Sequence, residues 1–472
     1  MLKLFYKLYY FLPFFISWQM SYAQQIPETL SLTKALDLAI QTYPSIKIKL
    51  AELEAAKAEV EARKLNYTLP TVTFQAQALY ATSNQIRGTF YPNEGTAIPT
   101  SGGIKVNGYT SDAVFSSFST LLASYKVVNF GKKRAEETFS NISIENANAD
   151  IEKELFEHKI RVIDSFLMSI VFEEAVKIQQ KNLDRTLAFY KAIFANTNAG
   201  LRPGVDSSLA ATEVSKARIL LIESQRITNQ QKNKLAELLG VHTYNFVLAS
   251  ERFNESFPKK MLLENNQGLE VNPILKYFQK RIALSIAKTD VIQKSYLPSI
   301  MARGAVWARG SGITDKTDAT GNFIYDSSLS GLGFRAYDYM LGFTALWNIS
   351  DIFRVKQEVK AQKFLSQSYR EHYNQVLLQI EEQQENADLQ LRTSLEINQQ
   401  APIQMASAQS AYYQAKARYE AGLSTIIELS QAINVLNRAE IDLIVANNNV
   451  WRAVFLKSAS RGDLSTFLNK LK

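Results

Sequence analysis

Apolar residues between Lys132 and Ala199 recur at alternating intervals of four and three positions. This interval places the side chains on one narrow face of a helix, which is typical of helices that pack lengthwise against one another. The segment contains neither Gly nor Pro. It therefore predicts one uninterrupted helix roughly 100 Å long, at about 1.5 Å per residue. The clearest part of the pattern consists of Phe156, Ile160, Ile163, Leu167 and Ile170.

A short break separates this helix from a second one. The sequence from Ala199 to Gly204 contains two glycines and Pro203. Glycine allows the backbone conformations of a tight turn, and proline ends a helix. A helical pattern resumes at Val205 and continues to Leu239. The sequence thus predicts a long antiparallel helical hairpin with a tight tip.

The second half of the chain repeats this plan, because a helical pattern from Asp351 breaks at Ala421-Gly422-Leu423 and resumes up to Arg461. Its spaced apolar residues include Tyr369, Tyr373, Val376 and Ile380.

Side chains at matching distances from the two tips also support a duplication. Tyr190 and Tyr412 each precede the glycine of their tip by ten residues. Asp206 and Glu428 each follow it by six. Two halves that each lack a closed core are expected to build one object together.

Four further segments alternate apolar and polar residues with the period of a β-strand. The first and third follow Pro70 and Pro298, which each end a helical segment. Because proline disfavours the helical conformation of its predecessor, we interpret both prolines as helix-to-strand junctions. The second strand runs up to Asn129, and the fourth extends from Tyr337 to Asn348.

The strands have one apolar face with aromatic residues towards their ends, which is typical of strands that face lipid. A strand packed on a soluble core would show the same alternation, so this alternative is open for any single strand. The predicted lipid-facing residues are Phe74, Tyr80, Tyr125, Tyr337, Tyr339, Phe343 and Trp347.

The rest of the chain is expected to form short helices and loops. Helices are predicted at 30–40 and at 43–67, and a segment similar to the second of these begins at Asn272. Segments rich in Gly, Ser, Thr and Asn predict loops at 81–111 and 310–336. The join between the repeats, 241–268, is expected to be irregular.

The N-terminus has the pattern of a secretory signal peptide. Lys3 and Lys7 precede an apolar segment, and small residues follow up to Ala23. A membrane anchor is the weaker alternative, because the apolar segment is short. The domain organisation is therefore predicted as a signal peptide, a first repeat, an equatorial segment, a second repeat and a C-terminal tail, at 1–23, 24–240, 241–270, 271–461 and 462–472.

Composition excludes several kinds of site. The chain has no Cys, which excludes disulfides, thiolate metal sites and cysteine nucleophiles. Its three His are scattered, so we expect no metal centre and no cofactor. The net charge of +8 is spread over Lys and Arg residues that alternate with Glu along the predicted helices. This arrangement indicates solvated helical faces and no nucleic-acid partner.

The predicted strands have a consequence for assembly. No later segment reaches the roughly 18 apolar residues of a transmembrane helix, so an exported protein of this kind would cross a membrane with strands. Four strands cannot close a barrel, since small membrane barrels have at least about eight. Lipid does not tolerate open strand edges, so several copies must share one sheet. A trimer would supply twelve strands and twelve long helical segments.

The duplicated order of helix, Leu-Pro, strand, loop, strand, long helix, Ala-Gly-Leu tip and helix behind a signal peptide resembles the TolC-like outer-membrane efflux proteins. The resemblance covers about Leu30 to Arg461. It implies a mixed α and β membrane protein, in which a homotrimer shares a twelve-stranded β-barrel continuous with a long α-helical periplasmic tunnel. It also implies the exit duct of a tripartite efflux system in the outer membrane, with outer-membrane lipid, a periplasmic adaptor (membrane fusion) protein and an inner-membrane pump of unknown type as partners.

The resemblance also implies roles for residues at the tips. Asp206 and Glu428 match an acidic position that lines the narrow periplasmic entrance in similar proteins, where symmetric copies would repel one another and attract cations. Alternatively, each is an acid favoured in the first turn of a helix, and both roles can hold. A further acid frequent in the family is replaced by Leu209 and Gln431. The residues expected to contact the adaptor are Ala199, Gly200, Leu201, Ala421, Gly422 and Leu423.

Pro402 departs from the pattern of a regular helix, because it lies inside the second long helical segment, about 30 Å from the tip. Proline removes one backbone hydrogen bond, so we expect a kink or an interruption there. Straight geometry between Gln399 and Met405 would contradict this expectation.

Other functional classes remain as alternatives. The sequence shows no phosphate-binding loop and no metal-ligand spacing, and the paired acids Glu381 and Glu382 fit a solvated helical face, so we do not expect an enzyme. A helical periplasmic adaptor, or a structural envelope protein without its own barrel, would lack the four patterned strands. A simple porin would have no use for the helical hairpins.

Overall fold

The computed structural model describes residues 29–82, 112–242, 246–250, 253 and 272–469. The predicted signal peptide at 1–23 lies outside these ranges. So do most of the predicted loop at 81–111 and most of the segment that joins the repeats.

The first repeat contains the predicted helices, strands and hairpin. Ser31 caps the first helix, because its side-chain oxygen accepts a hydrogen bond from the Lys34 N–H at 3.4 Å. The long helix is unbroken over 67 residues, as predicted. The elements are β1 (Thr29–Leu30), α1 (Leu32–Thr42), α2 (Pro44–Thr68), β2 (Thr71–Thr82), β3 (Ala113–Val128), α3 (Lys132–Asn198) and α4 (Gly204–Leu238).

The second repeat has the same order of main elements. Asn272 caps its first helix, because its side-chain oxygen accepts from the Ile274 N–H at 2.9 Å. Strand β4 (Val247–Leu248) lies before it, in the segment that joins the repeats. The elements of the second repeat are α5 (Pro273–Lys294), β5 (Ser299–Ser311), β6 (Ile313–Thr317), β7 (Phe323–Tyr325), β8 (Ala336–Leu346), α6 (Asp351–Glu420) and α7 (Ile426–Ser460). Helix α8 (Ser465–Asn469) follows in the C-terminal tail.

The four long strands form one antiparallel sheet in the order β2-β3-β5-β8. One row across this sheet consists of Thr71 opposite Ser124, Ser124 opposite Arg303, and Arg303 opposite Gly342. Each repeat therefore contributes one strand pair, and β2 and β8 form the two edges.

The long helix α3 contacts different helices along its length. Near the sheet it packs against α2 and α5, with ion pairs such as Asp150 to Lys49 at 2.8 Å and Glu145 to Lys280 at 2.7 Å. Nearer the hairpin tip it packs against α4 and α7. Since α6 packs against α5 and then α7, the helices follow the order α2-α3-α5-α6 near the sheet and α4-α3-α7-α6 near the tips.

The largest apolar core lies at the middle of the helical part. Phe166 of α3 and Trp451 of α7 are almost fully buried, and both contact the Phe253 ring, at centroid distances of 6.1 and 5.1 Å. The predicted face of α3 belongs to this core, since Ile163 and Leu167 have no exposed surface. The pattern of four and three residues was therefore a correct guide to the buried side.

A buried histidine lies beside this core. His158 has no exposed surface, and its ring stacks on the Tyr43 ring at a centroid distance of 3.9 Å. Burial, together with the positive charge of Arg161, lowers the pKa of His158 to about 4. The imidazole is therefore neutral at pH 7.

The structure corrects three expectations. The segment at 310–336 was predicted to be a loop, but it contains the β6–β7 hairpin and a 3₁₀ turn at Leu329–Leu332. The segment at 241–268 is not wholly irregular, because β4 pairs with β1 in parallel. The helix α6 continues through Pro402 without interruption, so only the kink stays a prediction.

The C-terminal tail is also ordered up to its last described residues. It forms α8, whose buried Phe467 packs against Phe455 at a ring distance of 5.6 Å. Among the helices of the described residues, none is both long and apolar enough to span a membrane.

Candidate functional site

The two hairpin tips lie side by side at the end of the molecule opposite the sheet. The Arg202 guanidinium, in the first tip (199–203), donates a hydrogen bond to the Tyr419 carbonyl oxygen at 2.9 Å. The same group lies over the Tyr419 ring, 4.7 Å from its centroid. Tyr419 precedes the second tip (421–425), so this contact joins the two repeats.

Both tips use the same backbone turn. Gly200 and Gly422 have φ values of 73° and 77°, a region that L-residues with a Cβ rarely occupy. The next residue donates back into the helix: the Leu201 N–H bonds to the Asn196 carbonyl at 2.9 Å, and the Leu423 N–H bonds to the Arg418 carbonyl at 2.8 Å. These are Schellman turns, which use two carbonyl groups that the end of a helix leaves unpaired.

The turn brings apolar side chains into solvent. Leu201 and Leu423 are 73% and 70% exposed, and Val205 and Ile427, five residues after each glycine, are 62% and 66% exposed. The predicted contact residues therefore form two matching apolar tips on this chain. Such exposed apolar groups are typical of interaction surfaces.

Beneath the tips the helices are held together by a small apolar cluster. Tyr190 and Tyr412, which the sequence places at matching positions, both pack against it. Tyr419 contributes to the cluster and contacts the Phe189 ring at 5.3 Å. The buried members are Ile193, Ala210, Tyr419, Ile426, Leu429 and Ile433.

The two predicted gate acids lie in the first turns of α4 and α7. Glu428 lies 3.9 Å from Arg418, and its backbone N–H donates to the Thr425 hydroxyl at 3.3 Å. Burial and the negative charge of Asp206 raise the pKa of the Tyr419 hydroxyl, and the positive charge of Arg202 partly opposes this shift. Both acids therefore occupy the favoured helix-start position, at the same end of the molecule.

Arg202, Tyr419 and Arg418 are not recognisable as site residues from the sequence alone. The pattern of apolar positions gives no indication of a contact between residues 217 positions apart. A comparison of the tips offers a weak signal: Arg202 stands where the second tip has Ser424. A charged residue in only one copy of a duplicated turn indicates a role beyond the turn itself.

The sheet has two unlike faces. Six of the seven predicted lipid-facing residues lie in its strands and share one face, and Trp347 follows directly after β8. All seven are exposed, from 41% for Tyr125 to 83% for Tyr339. This face carries no charged side chain in β2, β3, β5 or β8. The charged side chains of these strands, Lys126, Arg303, Arg309 and Asp338, lie on the opposite face.

Both proline junctions lie where the helices meet the sheet. Leu69 is extended, with φ of −105° and ψ of 144°, so α2 ends before Pro70. At the second junction, the Lys132 ammonium donates to the Leu297 carbonyl, just before Pro298, at 2.6 Å. The Trp347 indole N–H donates to the Tyr296 carbonyl at 3.1 Å, which holds that girdle residue at the same boundary.

Comparison with known proteins identifies a family and a fold. A model of the outer membrane efflux protein family matches residues 35–241 and 266–454. No curated protein matches the chain in sequence.

Solved structures of the same fold include three outer-membrane proteins. The outer-membrane channel OprN is similar with a TM-score of 0.71 and 18% identity, over 91% of this chain and 89% of its own. VceC from Vibrio cholerae has a TM-score of 0.68 and 14% identity, over 92% and 96%. The CmeC outer membrane channel of Campylobacter jejuni has a TM-score of 0.69 and 14% identity, over 93% and 88%.

Proposed function

The chain belongs to the outer membrane efflux protein family and is located in the outer membrane, and we propose that three copies assemble into one exit duct. In this assembly each copy contributes four strands to a twelve-stranded barrel in the membrane. The helices continue the barrel as a tunnel through the periplasm. The duct is a passive channel, opened at its periplasmic tip by an adaptor and an inner-membrane pump.

The observation that carries this proposal is that, within the residues that the structure describes, both the sheet and the helical layer end in open edges. The sheet has free edges at β2 and β8. The helical layer ends at α2 and α6 near the sheet, and at α4 and α6 near the tips. A unit with two open edges at every level closes only by joining further units, and rotational symmetry makes such a ring finite.

The unlike faces of the sheet support its orientation in such a barrel. Charged side chains are costly on the lipid side of a membrane barrel. The face with Phe74, Tyr339 and Phe343 has no charge and is exposed on this chain. We therefore assign the apolar face to lipid and the charged face to the lumen.

We also propose that Asp206 and Glu428 line the periplasmic entrance. Three copies would place six carboxylates around one opening, where they would attract cations. If so, the pair Asp206→Ala and Glu428→Ala weakens the cation preference of the reconstituted channel. An unchanged current and an unchanged cation preference would contradict this role.

The exposed tips fit the adaptor site expected of the family. Leu201 and Leu423, with Val205 and Ile427 behind them, present apolar groups that a partner could cover. Loss of adaptor crosslinking after Leu201→Asp and Leu423→Asp, with unchanged trimer formation, would support this site.

Cysteine crosslinking tests the shared sheet. The chain has no Cys, so an engineered pair gives an unambiguous result. Gln75→Cys in the edge strand β2 is combined, one at a time, with Met340→Cys, Gly342→Cys or Thr344→Cys in β8. All four positions lie on the proposed lumen face.

Oxidation in the outer membrane is expected to give covalent dimers and trimers for at least one pair. The matched control places the first cysteine at Thr120, in the inner strand β3, with the same β8 partners, and should stay monomeric. Monomers for all three edge pairs would overturn the shared barrel.

A further inference from the structure

We propose that the lumen carries a cationic ring where the barrel meets the helical tunnel, and that this ring favours the passage of anions. The inference rests on the proposed trimeric duct. The side chains of this ring lie far from the acidic tips. The barrel end of the duct would therefore prefer anions, whereas the tips are proposed to attract cations.

The charges on the lumen face are not balanced. Within β2, β3, β5 and β8, that face carries Lys126, Arg303 and Arg309 against the single carboxylate of Asp338. Each copy therefore contributes a net charge of +2. The opposite face contributes no charge, so the excess belongs entirely to the lumen.

The one carboxylate that these strands place on the lumen face, Asp338, forms its ion pair at one end of the sheet. Asp338 lies 3.5 Å from Arg309, near the end of β5 that is distant from the helices. Arg303 lies six residues earlier, which is about 20 Å along a strand. Asp338 therefore neutralises Arg309 and leaves Arg303 without compensation.

Two cations come together at the other end of the sheet. Arg303 lies opposite Ser124, and Lys126, two residues further along β3, lies opposite Met301. Lys126 and Arg303 are thus diagonal neighbours on one face, which is within reach of long side chains. Like charges in this arrangement repel each other, so an anion between them would be stabilised.

The surroundings of Arg303 leave room for such an anion. Its Nε is buried and has no hydrogen-bond partner among the described residues. Its cross-strand neighbours are the small residues Ser124 and Gly342, and a Cβ built on Gly342 would meet nothing within 4 Å. An unpaired guanidinium beside open space is suited to a carboxylate or phosphate group of the cargo, which it can bind through two hydrogen bonds.

The nearest helices do not supply the missing negative charge. Glu136, at the start of α3, lies 3.6 Å from Arg63 of α2. Asp351, the first residue of α6, lies 3.5 Å from Arg354. Arg354 also pairs with Glu358 at 2.6 Å. Among the described residues neither Glu136 nor Asp351 forms an ion pair with Lys126 or Arg303, so three copies would form a ring of six cations without a direct carboxylate partner.

Ion selectivity of the reconstituted trimer tests the ring. The reversal potential is measured in planar bilayers under a KCl gradient around 0.1 M. The variant Lys126→Gln with Arg303→Gln is expected to raise the ratio of K⁺ to Cl⁻ permeability about twentyfold, because K⁺ gains and Cl⁻ loses about fivefold each. This is the effect of six unit charges roughly 10 Å from the axis in water, screened by the salt.

Two further variants control the result. Lys126→Arg with Arg303→Lys keeps both charges and should retain the wild-type ratio. Asp338→Asn frees Arg309 and should lower the ratio, so it tests the same reasoning with the opposite sign.

The cationic ring is overturned, and the duct left intact, if both variants form open channels with an unchanged permeability ratio. These variants are the double variant Lys126→Gln with Arg303→Gln, and Asp338→Asn. A wild-type protein that forms no channel overturns the duct and the ring together.

Discussion

Replacing Arg202 with alanine is expected to loosen the contact between the two hairpin tips. Arg202 joins them at their ends, above the shared apolar cluster, through a hydrogen bond to the Tyr419 carbonyl at 2.9 Å and a stacking contact of 4.7 Å with the Tyr419 ring. Both interactions are lost in Arg202→Ala. The backbone turn at Gly200 does not depend on the Arg202 side chain, so the fold of each hairpin should be retained.

The size of the effect follows from these two interactions. A hydrogen bond with a charged partner contributes about 1.5 kcal/mol at the lower end of its range, and a partly exposed cation–π contact adds about 0.5 to 1 kcal/mol. Together they amount to roughly 2 kcal/mol per copy, or about a thirtyfold change in an equilibrium constant. If opening separates the two tips, Arg202→Ala shifts the equilibrium towards the open state by about that factor.

Single-channel recording in planar bilayers measures this shift as a higher open probability. Two matched variants define its origin. Tyr419→Phe keeps the ring and the carbonyl, and the Tyr419 hydroxyl is buried without a partner among the described residues, so little change is expected. Arg418→Ala removes an ion pair of 3.9 Å with Glu428, between side chains that are 61% and 51% exposed, and a long hydrogen bond of 3.4 Å to the Leu423 carbonyl. Both contacts lie within the second hairpin and are exposed, so they contribute little to the contact between the tips.

If Arg202→Ala had the same open probability as Arg418→Ala while its thermal unfolding matched the wild type, the contact between Arg202 and Tyr419 would have no role in keeping the tips together. A large effect of Tyr419→Phe would also contradict this role of Arg202, because the Tyr419 hydroxyl takes no part in the interaction with Arg202.

Three further predictions concern stability, measured by denaturant unfolding. Because burial lowers the pKa of His158 from 6.5 to about 4, the native state binds fewer protons than the unfolded state between these values. The contribution of His158 to the free energy of unfolding is therefore almost complete at pH 7 and falls by about 2 kcal/mol between pH 7 and 5. His158→Phe should remove most of this pH dependence. Gly422→Ala should cost about 1 kcal/mol for its positive φ, and Gly462→Ala clearly more, because its Cβ would lie 2.6 Å from the Asn272 Cα. Trp451→Ala should lower the free energy of unfolding by about 3 to 5 kcal/mol, since the side chain is 1% exposed in the largest core. Equal costs for the two glycine variants, or a small cost for Trp451→Ala, would contradict these predictions.

The sequence was sufficient to predict those elements that have a long apolar repeat or a Gly or Pro residue at their ends. The face of α3 that contains Ile163 and Leu167, the two tip glycines and the junctions at Pro70 and Pro298 all follow from local chemistry. These features repeat in both halves, so each copy supports the interpretation of the other. The order of the four strands agrees with their pairing in the sheet.

The sequence was insufficient where structure depends on distant partners. The strands β1 and β4 have two residues each, which is too short for any alternation to be recognised. The β6–β7 hairpin lies in a segment whose Gly, Ser and Asp content indicates a loop, because its stability depends on pairing and not on apolar residues. The contact between Arg202 and Tyr419 depends on how two helical hairpins meet, and no single segment encodes that arrangement.

The contact between the tips also shows how a duplicated chain becomes structurally asymmetric. At the positions that match Arg202 and Tyr419, the other repeat has Ser424 and Thr197. Neither a hydroxyl group nor a short side chain can reproduce the stacked guanidinium, so the contact forms once per copy, from the first tip to the second helix. In a trimer, three such contacts within the copies would alternate with three junctions between copies. The contact restrains both tips of a copy to the same extent, so the expected order of events is that the two tips of one copy separate only after Arg202 releases Tyr419.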